Sequence, residues 1–350
     1  METMKAIVLE KPKVLKMEIR DRPVIADDEV LVAVKCVGIC GSDVHYYEHG
    51  KIGRYIVEKP LVLGHEASGE VVSVGKNVKK FNIGDRVVIE PGATCGKCEY
   101  CKNGRYNLCP DVKFLATPPV DGALCEYLAV REDYLFKVPN DVDYDIATLV
   151  EPLSVGIHGA MRGNVKVGDK VLILGLGPVG LLTILAVKAF GASQVIAVDV
   201  QPLRLEAAKE LGATHVINAK ESNYKQLILE ATGNTGPDIT FETAGSKDTN
   251  KTAFEITKRG GRIVLIGLLA ESEVPVNINS VVDNEYNVYG VFRYANTYNK
   301  AIEVLSCNLE KVKKLVTHRF KLDEAAQAFE FVRENKDKCI KAVIVVSNIV

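Results

Sequence analysis

Hydrophobic positions change their spacing twice along the chain. From residue 4 to about residue 138 they fall in short runs at 6–9, 30–37, 69–74 and 86–90, divided by turn signals such as Asn82-Ile-Gly-Asp85. Short apolar runs between glycine and Asn/Asp turns read as the strands of an all-β unit. Between about 146 and 290 the rhythm lengthens. Helix-length stretches at 146–161, 178–190, 202–211, 224–231 and 249–259 alternate with strand-like runs at 170–174, 194–198, 215–218, 239–242 and 262–266. Such alternation predicts a parallel, doubly wound sheet, so the fold class is α/β with a β-rich unit in front. The unbroken run Val171-Leu-Ile-Leu174 suits a strand covered by helices on both faces. After residue 293, two helical stretches lead into a β-like run at 340–346. That run is expected to return to the N-terminal β unit and leave it discontinuous in sequence.

A chain of 350 residues is longer than one hydrophobic core usually serves, which agrees with two domains. Its 47% hydrophobic and 25% charged residues exclude a largely disordered chain. Lys and Arg number 44 against 45 Asp and Glu, so no positive excess is available to hold nucleic acid. The opening Met1-Glu-Thr-Met-Lys5 has no signal-peptide pattern. The longest apolar run, 179–190, is interrupted by Lys188 and falls short of the ~20 residues that span a bilayer. The expectation is a cytoplasmic protein with neither membrane nor nucleic acid as partner.

Candidate chemistry begins at Gly175-Leu-Gly177-Pro-Val-Gly180, which follows the run at 171–174 and opens a predicted helix at Pro178. Alone, three glycines at this spacing describe an ordinary turn. With a strand before, a helix after and Asp199 ending the next strand, they describe a dinucleotide site. Gly175 permits the tight turn, Gly177 lets the backbone approach a pyrophosphate, and Gly180 lets helix and strand pack closely. The helix N-terminus then receives the phosphates. Asp199 can accept hydrogen bonds from ribose hydroxyls and would repel a 2′-phosphate, which favours NAD over NADP. Arg204 complicates this, since an arginine nearby can serve NADP; stacking on the adenine beside Asp199 is the role expected of it.

The nine cysteines are an odd number without a signal peptide, which argues against a disulfide framework. Four of them form Cys95-Gly-Lys-Cys98-Glu-Tyr-Cys101 followed by Cys109. Four thiolates close a tetrahedron with no open position, as structural zinc requires. Lys97, Lys102 and Arg105 can offset the negative charge. An iron–sulfur cluster competes less well, because the last spacing is long and no second cluster motif is present. A second, dispersed constellation comprises Cys40-Gly-Ser42-Asp-Val-His45, Gly64-His65-Glu66 and Glu151. Thiolate, imidazole and carboxylate are all zinc ligands, and three of them plus a fourth open position define a catalytic site. By spacing alone, Cys40 could equally be a core cysteine and His65 a satisfied buried histidine. Histidines 49, 158, 215 and 318 show no ligand pattern and read as structural or surface.

The order Gly-Ile-Cys40-Gly-Ser-Asp43, Gly64-His-Glu66, the four-cysteine lobe and the glycine-rich turn resembles the zinc-containing medium-chain alcohol dehydrogenases over essentially the whole chain. Val44-His-Tyr-Tyr47, Ala116-Thr-Pro-Pro119, Glu151-Pro-Leu-Ser-Val-Gly-Ile-His158, Gly290-Val-Phe-Arg-Tyr294 and Leu315-Val-Thr-His-Arg-Phe320 are similar to its sorbitol (polyol) dehydrogenase branch. The resemblance implies a GroES-like catalytic domain over 1–152 with a structural zinc lobe at 91–113. A Rossmann NAD-binding domain would span 153–290, with a return to the catalytic domain over 291–350. It implies two zinc ions per subunit, NAD as cofactor and a homotetramer.

Carried over by position, Cys40, His65 and Glu66 match the catalytic zinc ligands. Glu151 stands where many relatives place a cysteine ligand, so two carboxylates compete; direct binding is expected of Glu66 and a supporting role of Glu151. Ser42 and His45 match a relay for the alcohol proton, although Ser42 could instead, or as well, cap a helix. Val179, Asp199, Arg204, Ile266, Gly267, Leu268, Val291, Phe292 and Arg293 match NAD-contacting positions. Tyr46, Glu151, Arg293 and Tyr294 match polyol-contacting ones. The implied reaction is reversible oxidation of a polyol secondary alcohol, as in sorbitol or xylitol, to the ketose. L-threonine 3-dehydrogenase and 2,3-butanediol dehydrogenase activities share the same motifs. A zinc-ribbon binding protein is the alternative outside enzymes.

Overall fold

The computed structural model describes residues 2–269, 273 and 275–347. The expected domain ranges also include residues 1, 270–272, 274 and 348–350, which lie outside the described residues. The chain divides into two compact units: Met1–Glu151 with Leu305–Leu309 and Val316–Val350, and Pro152–Val304 with Glu310–Leu315. The resemblance implies a return at 291, whereas residues 291–304 and 310–315 cluster here with the second unit. Strand Asn287–Gly290 is the reason: it pairs with Arg262–Leu265, and the Val291 N–H still bonds to the Leu265 carbonyl.

The first unit is organised around strand Glu29–Gly38. One edge pairs antiparallel with Glu66–Val74; the other pairs with Tyr127–Arg131 over 29–33 and with Lys341–Val345 over 36–38. Register shifts at Leu31/Val32 and Val34/Cys36 interrupt its pairing with Glu66–Val74, and such bulges bend a strand and re-aim its end. The terminal run does therefore return to the β unit. It also pairs in parallel with Val316–Lys321, a strand the sequence reading did not name, although Thr317, Arg319 and Lys321 alternate along it with the period of a half-buried strand. Helix Ala325–Glu334 connects the two and buries Ala325, Ala328 and Phe329, the i, i+3, i+4 stripe of an amphipathic helix. The Phe329 ring lies 5.4 Å from that of Tyr47.

The second unit holds a six-stranded parallel sheet. Its spatial order is His215–Asn218, Gln194–Asp199, Lys170–Leu174, Ile239–Glu242, Arg262–Leu265, Asn287–Gly290. In chain order this is the 3-2-1-4-5-6 arrangement, with the strand direction of travel reversing beside Lys170–Leu174. The helix expected at 249–259 is Lys247–Ile256. Ser246 caps it by accepting from the Thr249 N–H, and extended Thr257 ends it, its hydroxyl turned back onto the Ala253 carbonyl. The helix expected at 146–161 is a single turn, Tyr144–Ala147, followed by Val150–Arg162. Among the described residues no helix is long and apolar enough to cross a membrane.

Phe329 is 0% exposed, so its truncation leaves a cavity that the surrounding strands cannot fill. Phe329→Ala should lower the stability of the first unit by about 3–5 kcal/mol, read by denaturant unfolding.

Candidate metal and dinucleotide sites

Cys40 stands where strand Glu29–Gly38 gives way to helix Gly41–His49. It is the N-cap residue, in extended backbone. Asp43, three residues on, accepts from the Cys40 N–H through Oδ2 at 3.1 Å and closes the first turn. The cap is therefore Cys40, and Ser42 is the second residue of the helix, half-buried. The capping reading of Ser42 is corrected accordingly. His65 and Glu66 arrive from the opposite direction, at the start of Glu66–Val74, and the antiparallel register sets Glu66 opposite Gly38. That register brings positions 38–40 and 64–66 together.

Asp43 also accepts from the Gly64 N–H at 3.0 Å, and its Oδ1 lies 3.3 Å from His65 Nδ1. A carboxylate only accepts, so Nδ1 carries a proton. Burial would lower the imidazole, but the charge and hydrogen bond of Asp43, with Cys40, raise it well above its ordinary value, and a metal at Nε2 would take the place of the second proton. Burial would raise the Asp43 carboxyl, but His65 and the two backbone N–H groups outweigh it and hold it below its ordinary value. Glu66 is buried beside Lys341, whose ammonium pairs with Oε2 and donates to the Ile39 carbonyl at 3.0 Å; both side chains are 1% exposed. Burial alone would lower the Lys341 ammonium, and the charges of Glu66 and Cys40 raise it instead. Glu66 Oε1 is buried with no hydrogen-bond partner.

One ligand atom each from Cys40, His65 and Glu66 lies within 4.8 Å of the others. A thiol, an imidazole oriented by Asp43 and a carboxylate oxygen left over by Lys341 suit a divalent metal of zinc type, which takes three such protein ligands in a catalytic site. Glu151 is outside this group. It is buried at the start of Val150–Arg162, and its charge acts on Lys341 and Glu90. His45 is half-buried, with Nδ1 2.8 Å from the Lys51 carbonyl. A carbonyl cannot donate, so Nδ1 of His45 carries the proton and Nε2 is the acceptor in the neutral ring.

The sulfurs of Cys95, Cys98, Cys101 and Cys109 converge in the same unit, with Cys98–Cys101 at 3.4 Å and Cys95–Cys109 at 3.5 Å. The N–H groups of Lys97 and Cys98 pull the Cys95 thiol down to about 6. This donor set fits a closed thiolate site. Tyr106, inside the lobe, donates to Glu90 at 2.7 Å. Burial pushes the Glu90 carboxyl up to about 7, against the Tyr106 hydrogen bond and with help from the charges of Asp133 and Glu151.

In the second unit, Gly175 ends strand Lys170–Leu174 with φ +93°. Gly177 has nothing within 4 Å of where a Cβ would stand, an open approach to the backbone at the N-terminus of helix Pro178–Ala189. Asp199 accepts from the Leu176 N–H at 2.6 Å and, through its other oxygen, from Val200 and Gln201 at 2.7 and 2.9 Å. It thus ties the glycine-rich turn to the next strand, a role its position did not disclose. Arg204 lies 3.8 Å from the same carboxylate. The N–H groups of Ile266 and Gly267 bond to the Glu242 carbonyl, while Leu268 and Phe292 are exposed. Arg293 has φ +54°, and its guanidinium lies 4.7 Å from the Phe292 ring centre. Tyr294 is buried 5.6 Å from the Tyr298 ring in this unit, and Tyr46 is buried in the first. Sequence reading missed Asp43 and Lys341 as supports of the triad. The signals were there: Asp43 sits at capping distance from Cys40, and Lys341 is the lone charge in the apolar run 340–346.

Two family models match the chain: the alcohol dehydrogenase GroES-like domain over residues 26–140 and the zinc-binding dehydrogenase domain over 178–306. The sorbitol dehydrogenase of Bacillus subtilis is 48% identical over 98% of this chain and 97% of its own length. Among solved structures, an Escherichia coli oxidoreductase/dehydrogenase of unknown specificity superposes with TM-score 0.94 at 42% identity, covering 99% of this chain and 100% of that one. An E. coli CFT073 alcohol dehydrogenase complexed with NADH superposes at TM-score 0.90 with 31% identity, over 98% of this chain and 99% of that one.

Two outcomes follow from the first unit. Asp43→Asn should weaken zinc at the triad about 10–100-fold by releasing His65. Metal analysis after chelator dialysis should then fall from two zinc ions per chain to one; retention of both would refute the assignment. The raised Glu90 carboxyl makes stability greatest below its unfolded value near 4.5 and erodes it as pH rises through about 7. Glu90→Gln should therefore match wild type at pH 4 and exceed it at pH 8, by up to about 3 kcal/mol in unfolding measurements.

Proposed function

The chain belongs to the zinc-binding, GroES-like alcohol dehydrogenases, and on that premise we propose that it reversibly oxidises a secondary alcohol of a polyol, such as sorbitol or xylitol, to the ketose with NAD. The observation that carries this reading is the convergence of Cys40, His65 and the orphaned Glu66 oxygen in a chain that also bears a complete dinucleotide turn. When bound, zinc supplies a Lewis acid that makes the alcohol a stronger acid, and NAD supplies the hydride acceptor.

The chain's own residues do the rest. Cys40, His65 and Glu66 hold the metal, Asp43 keeps His65 in the tautomer that binds it, and Lys341 keeps Glu66 charged and oriented. Glu151 is the second carboxylate, an acceptor for a substrate hydroxyl. Ser42 and His45 share helix Gly41–His49, and the free Nε2 of His45 can take a proton passed along by the serine hydroxyl. Tyr46, Arg293 and Tyr294 are the further polar groups for polyol hydroxyls, as the resemblance implies. Gly175, Gly177 and Gly180 receive the pyrophosphate, Asp199 the ribose, and Val179, Arg204, Ile266, Gly267, Leu268, Val291, Phe292 and Arg293 complete the NAD contacts. The same resemblance supports a homotetramer.

A spectrophotometric screen at equal concentrations should rank sorbitol and xylitol above threonine, 2,3-butanediol and 2-propanol. Arg293→Ala should lose polyol turnover at least about tenfold more than turnover of a simple secondary alcohol, because unpaired buried hydroxyls are heavily penalised. Better oxidation of threonine or 2-propanol by the wild type would overturn the polyol reading and leave the dehydrogenase standing.

A further inference from the structure

Glu242 is a buried carboxylate that the proposed reaction does not use. It ends strand Ile239–Glu242, the neighbour of the strand that carries the glycine-rich turn, and is 0% exposed. Its two oxygens are treated unequally. Oε1 accepts from the Ala244 N–H at 3.0 Å, the Gly245 N–H at 2.9 Å and the Thr249 hydroxyl at 2.7 Å. Oε2 is buried and has no hydrogen-bond partner among the described residues. Burial raises the carboxyl above its ordinary value despite these donors. A half-satisfied carboxylate in the middle of a sheet is a poor choice for stability alone, since an apolar side chain would avoid the desolvation.

What the carboxylate shapes is the segment 243–246, and that segment is confined on two sides. Toward the glycine-rich turn, the Thr243 hydroxyl donates to the Gly175 carbonyl at 2.6 Å, and a Cβ on Gly175 would stand 2.6 Å from the Ala244 Cβ. Toward the 266–268 stretch, a Cβ on Gly267 would stand 2.8 Å from Glu242 Oε2 and closer still to the Gly245 nitrogen. The Glu242 carbonyl also accepts from Ile266 at 2.8 Å and Gly267 at 3.0 Å. The segment that Glu242 fixes therefore touches both walls, and Glu242 itself lies against the second.

We propose that Glu242 is a positioning residue for the dinucleotide: by fixing 243–246 it holds the glycine-rich turn and the 266–268 stretch in the arrangement that binds NAD(H). This deepens the reading that the cofactor sits at the 175–180 turn and rests on it. The carboxylate touches only the protein, and its effect reaches the cofactor through the two loops it separates.

The test is titration of NADH fluorescence on the zinc-loaded enzyme, with NADH-induced shift of the melting temperature and zinc content measured alongside. Glu242→Leu removes the acceptor at similar volume and should raise the NADH Kd about tenfold or more, with the loss falling on the KM for NAD rather than on kcat. Glu242→Gln retains an amide oxygen for the three donors and should stay within about threefold of wild type. Thr249→Val, which deletes one donor, covers the case in which Glu242→Leu does not fold and should weaken NADH by about threefold. Unchanged NADH affinity in folded Glu242→Leu or Thr249→Val, or equal losses in Glu242→Leu and Glu242→Gln, would refute the proposal. Failure of the underlying site reading looks different: Asp199→Ser would then leave NADH binding untouched.

Discussion

Charge removed from water must be met by charge or hydrogen bonds inside the protein, and that constraint organises both units. In the first unit, three acidic groups are buried and each is answered by its own partners. Asp43 is answered by two backbone N–H groups and His65, and Glu66 by Lys341. Asp145 is answered by Arg319, at 2.5 Å. Breaking one member of such a set strands the other, which is far more costly than never burying the pair. The geometry of the candidate metal site follows from this. His65 presents Nε2 because Asp43 holds Nδ1, and one Glu66 oxygen is left over because Lys341 occupies the other.

The two metal-like clusters are assembled by different physics. The cysteine lobe is local: its four sulfurs come from one stretch of chain, so a few tight turns suffice to converge them. The triad is a product of strand register. Gly38 opposite Glu66, and Val37 opposite Ile344, set which side chains meet at the end of the sheet. A slip of one residue would turn Glu66 or Lys341 to the opposite face.

The second unit uses carboxylates as staples. Asp199 spends both oxygens on backbone N–H groups around the glycine-rich turn, and Arg204 stands beside it. Glu242 uses one oxygen in the same way for the loop two strands along the sheet order from Gln194–Asp199. Loop architecture is therefore carried by buried carboxylates at the ends of the parallel strands, where ligands of this fold bind.

By itself the sequence determined what depends on neighbours along the chain: the strand–helix alternation of the parallel sheet, the glycine turn opening a helix at Pro178, and the cysteine cluster. Spacing is enough for these, because each is closed by hydrogen bonds or ligands a few residues apart. Helix ends were less legible, since Thr257 and the break before Val150 are set by individual hydroxyl and backbone bonds. Only the tertiary structure decided that Cys40 rather than Ser42 caps its helix, that Asp43 serves both Cys40 and His65, and that Lys341 meets Glu66 and Ile39 across 302 residues of chain in the latter contact. No local pattern encodes such partners. A lysine in an apolar run announces that a buried charge needs an answer, but the register of strands brought together from opposite ends of the chain chooses which carboxylate answers it.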